Sequence, residues 1–270
     1  MSLPPPPVLE HCYRHPDRET GRRCTRCGKP ACGECLVQVS VGSNCLDCVK
    51  AARPDVKTRA KFWNARQPTL VTYSLIAINA AIYMWSMASN QNEADLALYK
   101  PSIHAGEYYR LISSGFLHFG LFHIGMNMLL LFQLGQLLEP AIGRVRFGLL
   151  YFASLLSGSL GALMLSPLAV TGGASGAVFG LMAAAAIGMH RRGINIFRTG
   201  IGTILVLNLV LTFTIPNISV GGHVGGAIAG AICGFVILAP GHAALPKWAS
   251  YATPIAIIAV SVMASVAIAG

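Results

Sequence analysis

The chain has 270 residues, 54% of them hydrophobic and only 11% charged, with a formal net charge of +10. A soluble domain usually carries about 25% charged residues, so the composition excludes a soluble globular protein. The positive charge is also concentrated: 12 of the 20 Lys and Arg, and seven of the eight Cys, precede Leu70. The pattern is that of a small basic head (residues 1–48), a basic juxtamembrane linker (49–67) and an apolar membrane body (68–270). Basic residues beside a first membrane span are explained by topology before they argue for nucleic acid.

The N-terminal Met-Ser-Leu-Pro-Pro-Pro-Pro lacks an apolar core and does not read as a cleavable signal peptide. The head then carries four regular pairs: Cys12-x-x-His15, Cys24-x-x-Cys27, Cys32-x-x-Cys35 and Cys45-x-x-Cys48. Four pairs of such ligands make two tetrahedral zinc sites. His11 is a rival to His15, but Cys-x-x-His has the better spacing. A cytosolic head would be kept reduced, which disfavours disulfides, and a single redox Cys-x-x-Cys does not account for four pairs. A segment of about 40 residues with few aliphatics cannot build a large core, so zinc is expected to supply much of its folding energy. The arrangement resembles a B-box-type zinc finger. That resemblance implies interleaved pairing, first pair with third and second with fourth, and a cytoplasmic protein partner. Nucleic acid is the weaker reading, because the basic residues mix with Glu19, Glu34 and Asp47.

The linker holds Lys50, Arg53, Lys57, Arg59, Lys61 and Arg66. It reads first as a topology signal, and second as a contact for lipid headgroups. Seven apolar stretches follow, at about 69–89, 117–138, 146–165, 172–190, 200–216, 221–239 and 250–269, each near the roughly 17–25 residues that a spanning helix needs. Arg144 and Arg146 follow the second stretch, Arg191, Arg192 and Arg198 the fourth, and Lys247 the sixth. The alternate turns are nearly free of Lys and Arg. The positive-inside rule therefore predicts a cytoplasmic N-terminus and an external C-terminus in the plasma (inner) membrane.

Polar residues within spans are costly and default to functional candidates. Ser175, in Gly173-Ala174-Ser175-Gly176, opens the fourth stretch, and His223, in Gly222-His223-Val224-Gly225-Gly226, opens the sixth. His123 and Asn127 lie four apart, on one face of the second. Taken singly, each has a bland reading as small-residue packing or an interhelical polar clamp. Their depth sets them apart from that reading, since with the predicted topology all four fall in the outer half of the membrane. Two small-residue stripes of period four, Gly172, Gly176, Gly180, Ala184 and Gly188 against Gly222, Gly226, Gly230 and Gly234, predict that the fourth and sixth helices pack closely. That packing would bring Ser175 Oγ within hydrogen-bond reach of His223. A serine hydroxyl needs an adjacent base to become a nucleophile. No Asp or Glu follows Glu139, so a Ser–His dyad is expected rather than a triad, with external-loop acids such as Glu107 left open. The Ser175 N–H, His123 and Asn127 would bind the oxyanion.

These residues resemble the rhomboid intramembrane serine proteases. The resemblance rests on His123-x-x-x-Asn127, Gly173-x-Ser175-Gly176 and His223-x-x-Gly226-x-x-x-Gly230, and covers roughly residues 69–240. It implies a six-helix bundle with one additional C-terminal helix, all-α and polytopic. It also implies Ser175 as nucleophile, His223 as base, and His123 and Asn127 as oxyanion donors, with no cofactor for catalysis. His118, Tyr109-Arg110, Glu139 and Phe179 fall at further family positions, Phe179 where an aromatic packs on the catalytic histidine. The implied partners are single-span membrane protein substrates within the lipid bilayer. Two rival readings remain. A catalytically silent relative that binds or escorts membrane proteins usually lacks the serine or histidine. A transporter would need acidic or broken-helix ion sites near mid-membrane, and neither is evident.

Overall fold

The structure is a computed structural model that describes residues 9–39, 41–52, 68–88, 90–214, 218–239 and 245–270. The proline-rich N-terminus and the linker residues Arg53, Lys57, Arg59, Lys61 and Arg66 lie outside the described residues. The chain divides into two compact units, Met1–Trp63 and Asn64–Gly270.

The first unit is built from two antiparallel hairpins. Strand β1 (Glu10–Cys12) pairs with β2 (His15–Thr20), and β3 (Leu36–Gln38) pairs with β4 (Ser43–Cys45), which runs into helix α1 (Leu46–Ala51). Among its described residues the core cluster is Cys12, Ala31 and Cys35, with Tyr13, Cys32, Leu36 and Leu46 against them. So small a core cannot hold a fold by apolar burial alone. The basic residues are partly paired: Arg18 with Glu34, Arg23 with Glu10, and Lys29 with Asp47. These pairs are exposed and contribute at most about 1 kcal/mol each.

The second unit is all-α. Its helices are α2 (Leu70–Ser86), the short α3 (Asn90–Leu96), α4 (Lys100–His104) and α5 (Arg110–Ser113), then α6 (Leu121–Ile142), α7 (Arg144–Leu165), α8 (Ser175–His190), α9 (Ile201–Thr214), α10 (Val220–Ile237) and α11 (Ala249–Ala269). Seven are apolar. Four of them, α6, α7, α10 and α11, are long and apolar enough to cross a membrane, while α2, α8 and α9 are shorter. Large apolar side chains such as Leu121, Phe122, Phe213, Ile228, Phe235 and Met263 face outward. A bundle apolar on both its inner and outer faces belongs in lipid, and the chain is an integral membrane protein.

Two helices differ in their bounds from the sequence reading for physical reasons. The fourth stretch, expected over 172–190, is helical only from Ser175. Gly173 has φ +132°, a conformation that breaks a helix and that side-chain-bearing residues rarely adopt. The second helix starts later and ends later than expected, at Leu121 and Ile142, because Gly120 (φ +100°) and Gly143 (φ +84°) bracket it.

The glycine stripes set the packing. A Cβ added at Gly226 or Gly230 would run into the main chain of Gly176 or Gly180, and one at Gly234 would meet Ala184 Cα at 2.5 Å. Helices α8 and α10 therefore lie backbone to backbone along the stripes read from the sequence. A third helix joins them: Gly158 and Gly161 of α7 face the main chain of Gly221, Gly222 and Gly225. Helix α10 is thus gripped on two sides by glycine contacts. By contrast, only Gly202 and Thr212 of α9 are buried.

Candidate active site

The segment before Ser175 is held by three main-chain ties. Gly173 N–H donates to Ser114 O at 2.8 Å, and Leu98 and Thr171 exchange a pair of backbone hydrogen bonds at 2.8 and 3.0 Å. His118, fully buried, accepts from Ala174 N–H on Nε2 at 3.4 Å, with its Nδ1 3.3 Å from Phe116 O. Arg110 anchors the preceding segment. It is buried, pairs with Glu107, and donates to the carbonyls of Ala94 and Ala97, the latter at 3.0 Å. Tyr109 Oη donates to Asp95 O at 3.1 Å, so the tyrosine serves as an anchor at this position.

Ser175, His223, His123 and Asn127 all line one cavity of about 540 Å³. Its other walls are mainly apolar, from Phe119, Phe122, Met126, Leu130, Val178 and Leu211. A second, smaller recess of about 40 Å³ also touches Ser175 and is walled largely by Gly, Ala and Ser, including Gly158, Gly172, Gly176 and Gly222.

His123 receives Phe119 N–H on Nδ1 at 3.3 Å, which places its ring proton on Nε2. A methyl built on Gly173 would lie 2.7 Å from that Nε2 and 3.7 Å from Ser175 Oγ. Both groups therefore border the same methyl-sized space. Asn127 donates one amide proton to His123 O at 2.9 Å and retains a second. The His223 ring stacks on Phe179 with centroids 4.1 Å apart and planes at 15°. Its Nδ1 lies 2.8 Å from Thr212 Oγ1. The Ser175 hydroxyl and His223 face the cavity together without a direct hydrogen bond between them. Among the described residues no carboxylate lines the cavity. Glu107 is bound to Arg110, and buried Glu139 accepts from Val71 N–H, Thr72 N–H and Thr72 Oγ1 at 3.0, 2.9 and 2.7 Å, closing the N-terminus of α2.

In the first unit the ligand pairs gather in two groups, Cys12, His15, Cys32 and Cys35, and Cys24, Cys27, Cys45 and Cys48, with the donor atoms of each group within 4.8 Å of one another. A tetrahedral zinc with bonds of about 2.3 Å to sulfur needs S···S edges of about 3.8 Å. Cys27 and Cys45 Sγ are 3.7 Å apart, and His15 Nδ1 lies 3.4 Å from Cys32 and Cys35 and 3.8 Å from Cys12. The donor sets fit a thiophilic metal, with first pair joined to third and second to fourth. Burial pushes the Cys12 thiol up, but main-chain donors at Cys32, Arg14 and His15 outweigh it and bring it down to about 6. The Cys45 N–H, 3.2 Å from Cys24 Sγ, brings Cys24 to about 6 against its burial. Burial and hydrogen bonding to Cys12 and Cys32 push Cys35 up to about 11, and hydrogen bonding to Cys27 followed by burial pushes Cys48 up to about 12. Each group thus holds a thiol that ionises readily beside one that does not.

Sequence reasoning did not find Thr212, nor the role of His118 as anchor of Ala174. Asn208 and Thr212 share a helical face by their spacing of four, and that polar pair within an apolar stretch was the available signal.

The fold is that of a polytopic membrane bundle with a polar constellation walled in between its helices. Residues 105–240, half of the chain, match the family model described as Rhomboid domain, and the chain belongs to the rhomboid family. It is 31% identical to the rhomboid protease GluP of Bacillus subtilis (strain 168) over 177 residues, 62% of this chain and 34% of that protein. It is 34% identical to RHOMBOID-like protein 4 of Arabidopsis thaliana over 150 residues, 53% of this chain and 37% of that protein. With the mitochondrial Rhomboid protein 1 of Saccharomyces cerevisiae the identity is 33% over 122 residues, 43% of this chain and 35% of that protein. The chain spans about a third of the length of these curated relatives.

Proposed function

We propose that the chain is an intramembrane serine endopeptidase that cleaves single-span membrane proteins with a dyad of Ser175 and His223. The observation that carries this reading is the shared cavity: a serine, two histidines and an asparagine from α6, α8 and α10 converge on one space of about 540 Å³. In the proposed reaction His223 Nε2 takes the Ser175 proton as Oγ attacks the scissile carbonyl. The oxyanion is bound by the Ser175 N–H, His123 Nε2–H and the remaining Asn127 amide proton. His223 then protonates the leaving amine, and water, activated by the same imidazole, hydrolyses the acyl-enzyme. Contacts of this kind commonly tighten only in the substrate complex, which accommodates a serine and histidine that share the cavity without a hydrogen bond between them.

The two head clusters are proposed to hold structural zinc, one in Cys12, His15, Cys32 and Cys35 and one in Cys24, Cys27, Cys45 and Cys48, which would crosslink a unit with almost no core. The head is proposed to be cytoplasmic, with the active site toward the external side of the plasma (inner) membrane, on the charge of its turns. The test is cleavage of a single-span substrate by the full chain in liposomes. Wild type should cut, and Ser175→Ala and His223→Ala should not. Equal cleavage by all three would end the reading.

A further inference from the structure

A dyad without a carboxylate leaves one question of chemistry unanswered: what keeps the imidazole in the tautomer that a base requires. A neutral histidine carries its single ring proton on Nδ1 or Nε2, and only the nitrogen without it can accept. In an Asp-containing triad the acid fixes that choice.

We propose that Thr212 is the positioning residue of His223, an inference that rests on the dyad reading above. Thr212 is buried, and its hydroxyl makes two contacts: it donates to Asn208 O at 2.6 Å, one turn back in α9, and it lies 2.8 Å from His223 Nδ1. A threonine hydroxyl has one proton. With that proton on the Asn208 carbonyl, the oxygen faces Nδ1 as an acceptor. Nδ1 must therefore carry the ring proton, and the Nε2 lone pair is left for Ser175. The back-bond to Asn208, of a kind that slightly weakens a helix, is the shorter of the two contacts and is what leaves the hydroxyl oxygen to Nδ1 as an acceptor. Phe179 fixes the plane of the ring by stacking at 4.1 Å and 15°. Thr212 fixes its rotation within that plane and its proton. The two restraints come from different helices, α8 and α9, and act on a histidine of a third.

The test uses the full chain in liposomes with a single-span substrate. Thr212→Val keeps the shape and removes the hydroxyl; Thr212→Ser keeps the hydroxyl. Losing one neutral hydrogen bond is worth about 1.4 kcal/mol, a factor of about ten. The expected result is a fall in kcat of about tenfold or more in Thr212→Val with KM unchanged and the protein still folded at the assay temperature, and recovery to within about threefold in Thr212→Ser. Independently of any variant, 15N spectra of imidazole-labelled wild type at neutral pH should show His223 Nδ1 protonated and Nε2 bare. An unchanged kcat in a folded Thr212→Val, or a protonated Nε2 in wild type, overturns the proposal while Ser175→Ala remains inactive. Cleavage by Ser175→Ala would instead overturn the dyad reading and this proposal with it.

Discussion

Replacing Gly234 by Ala tests whether glycine contact sets the spacing of α8 and α10. The new Cβ would lie 2.5 Å from Ala184 Cα, 2.8 Å from its carbonyl oxygen and 3.0 Å from its Cβ. Carbon atoms in contact prefer about 3.5–4.0 Å, so the helices must part by about 1 Å. The obstacle is main chain, which cannot turn aside as a side chain can. Overpacking of this kind costs about 1–3 kcal/mol, and the better helix propensity of Ala returns up to about 1 kcal/mol. The expected net loss is about 1 kcal/mol, and about 2 kcal/mol at the upper end of that cost. Gly148→Ala is the matched control. Its Cβ would find only Val71 Cγ1, at 4.0 Å, so it should be neutral or slightly stabilising. Both variants, as full chains in the same detergent, would be unfolded by denaturant, and cleavage measured alongside. Gly234 is about 16 Å along α10 from His223 at 1.5 Å per residue, so any loss of cleavage would reflect spacing rather than direct contact. Equal stability and activity of the two variants would refute the reasoning.

Gly173→Ala should abolish cleavage while leaving most of the fold, because it adds strain at φ +132° and a methyl 2.7 Å from His123 Nε2; turnover and thermal midpoint measured together check this. Arg110→Ala should lower the midpoint by the equivalent of about 1–3 kcal/mol through lost charge-assisted hydrogen bonds, with Lys a poor substitute for the fork-shaped guanidinium; thermal unfolding of the three proteins decides it. Metal analysis of the full chain should find two zinc ions, and fewer than two in Cys24→Ser. Binding must strip protons from thiols pushed up to about 11 and 12 at Cys35 and Cys48, so zinc addition in weak buffer should release protons. Affinity should rise with pH and fall on acidification, most steeply once Cys12 and Cys24 protonate near 6; a pH-independent affinity would contradict the assignment.

The apolar stretches, the glycine stripes and the polar residues that meet at one cavity were legible because membrane burial leaves few other reasons for such residues to be where they are. The head was legible because ligand spacing is a covalent fact. The start of α8 was not, since a glycine's φ cannot be read from its letter, and Gly172-Gly173 looks like more stripe. The grip of α7 on α10 was not legible, because Gly158 and Gly161 are three apart and fall outside a period-four stripe. Thr212 was missed for a related reason. Threonine is at home in apolar helices, and only the tertiary meeting of α9 with α10 gives its hydroxyl a partner.

The loop ahead of Ser175 has a cost built into its stability. Two consecutive peptide groups there are already engaged, Gly173 with Ser114 O and Ala174 with His118 Nε2. Neither can turn toward a reacting carbonyl without loosening the turn that presents the serine. In the proposed reaction a nascent negative oxygen would find one amide left along this stretch, and would lean on an imidazole and a carboxamide for the remainder. Hydrolases that use several main-chain groups for this purpose are hard to disarm by mutation, since every residue type has the same amide. In the proposed reaction the vulnerability is written into side chains, so that single substitutions at His123 or Asn127, and not only at the proposed dyad, should weaken cleavage.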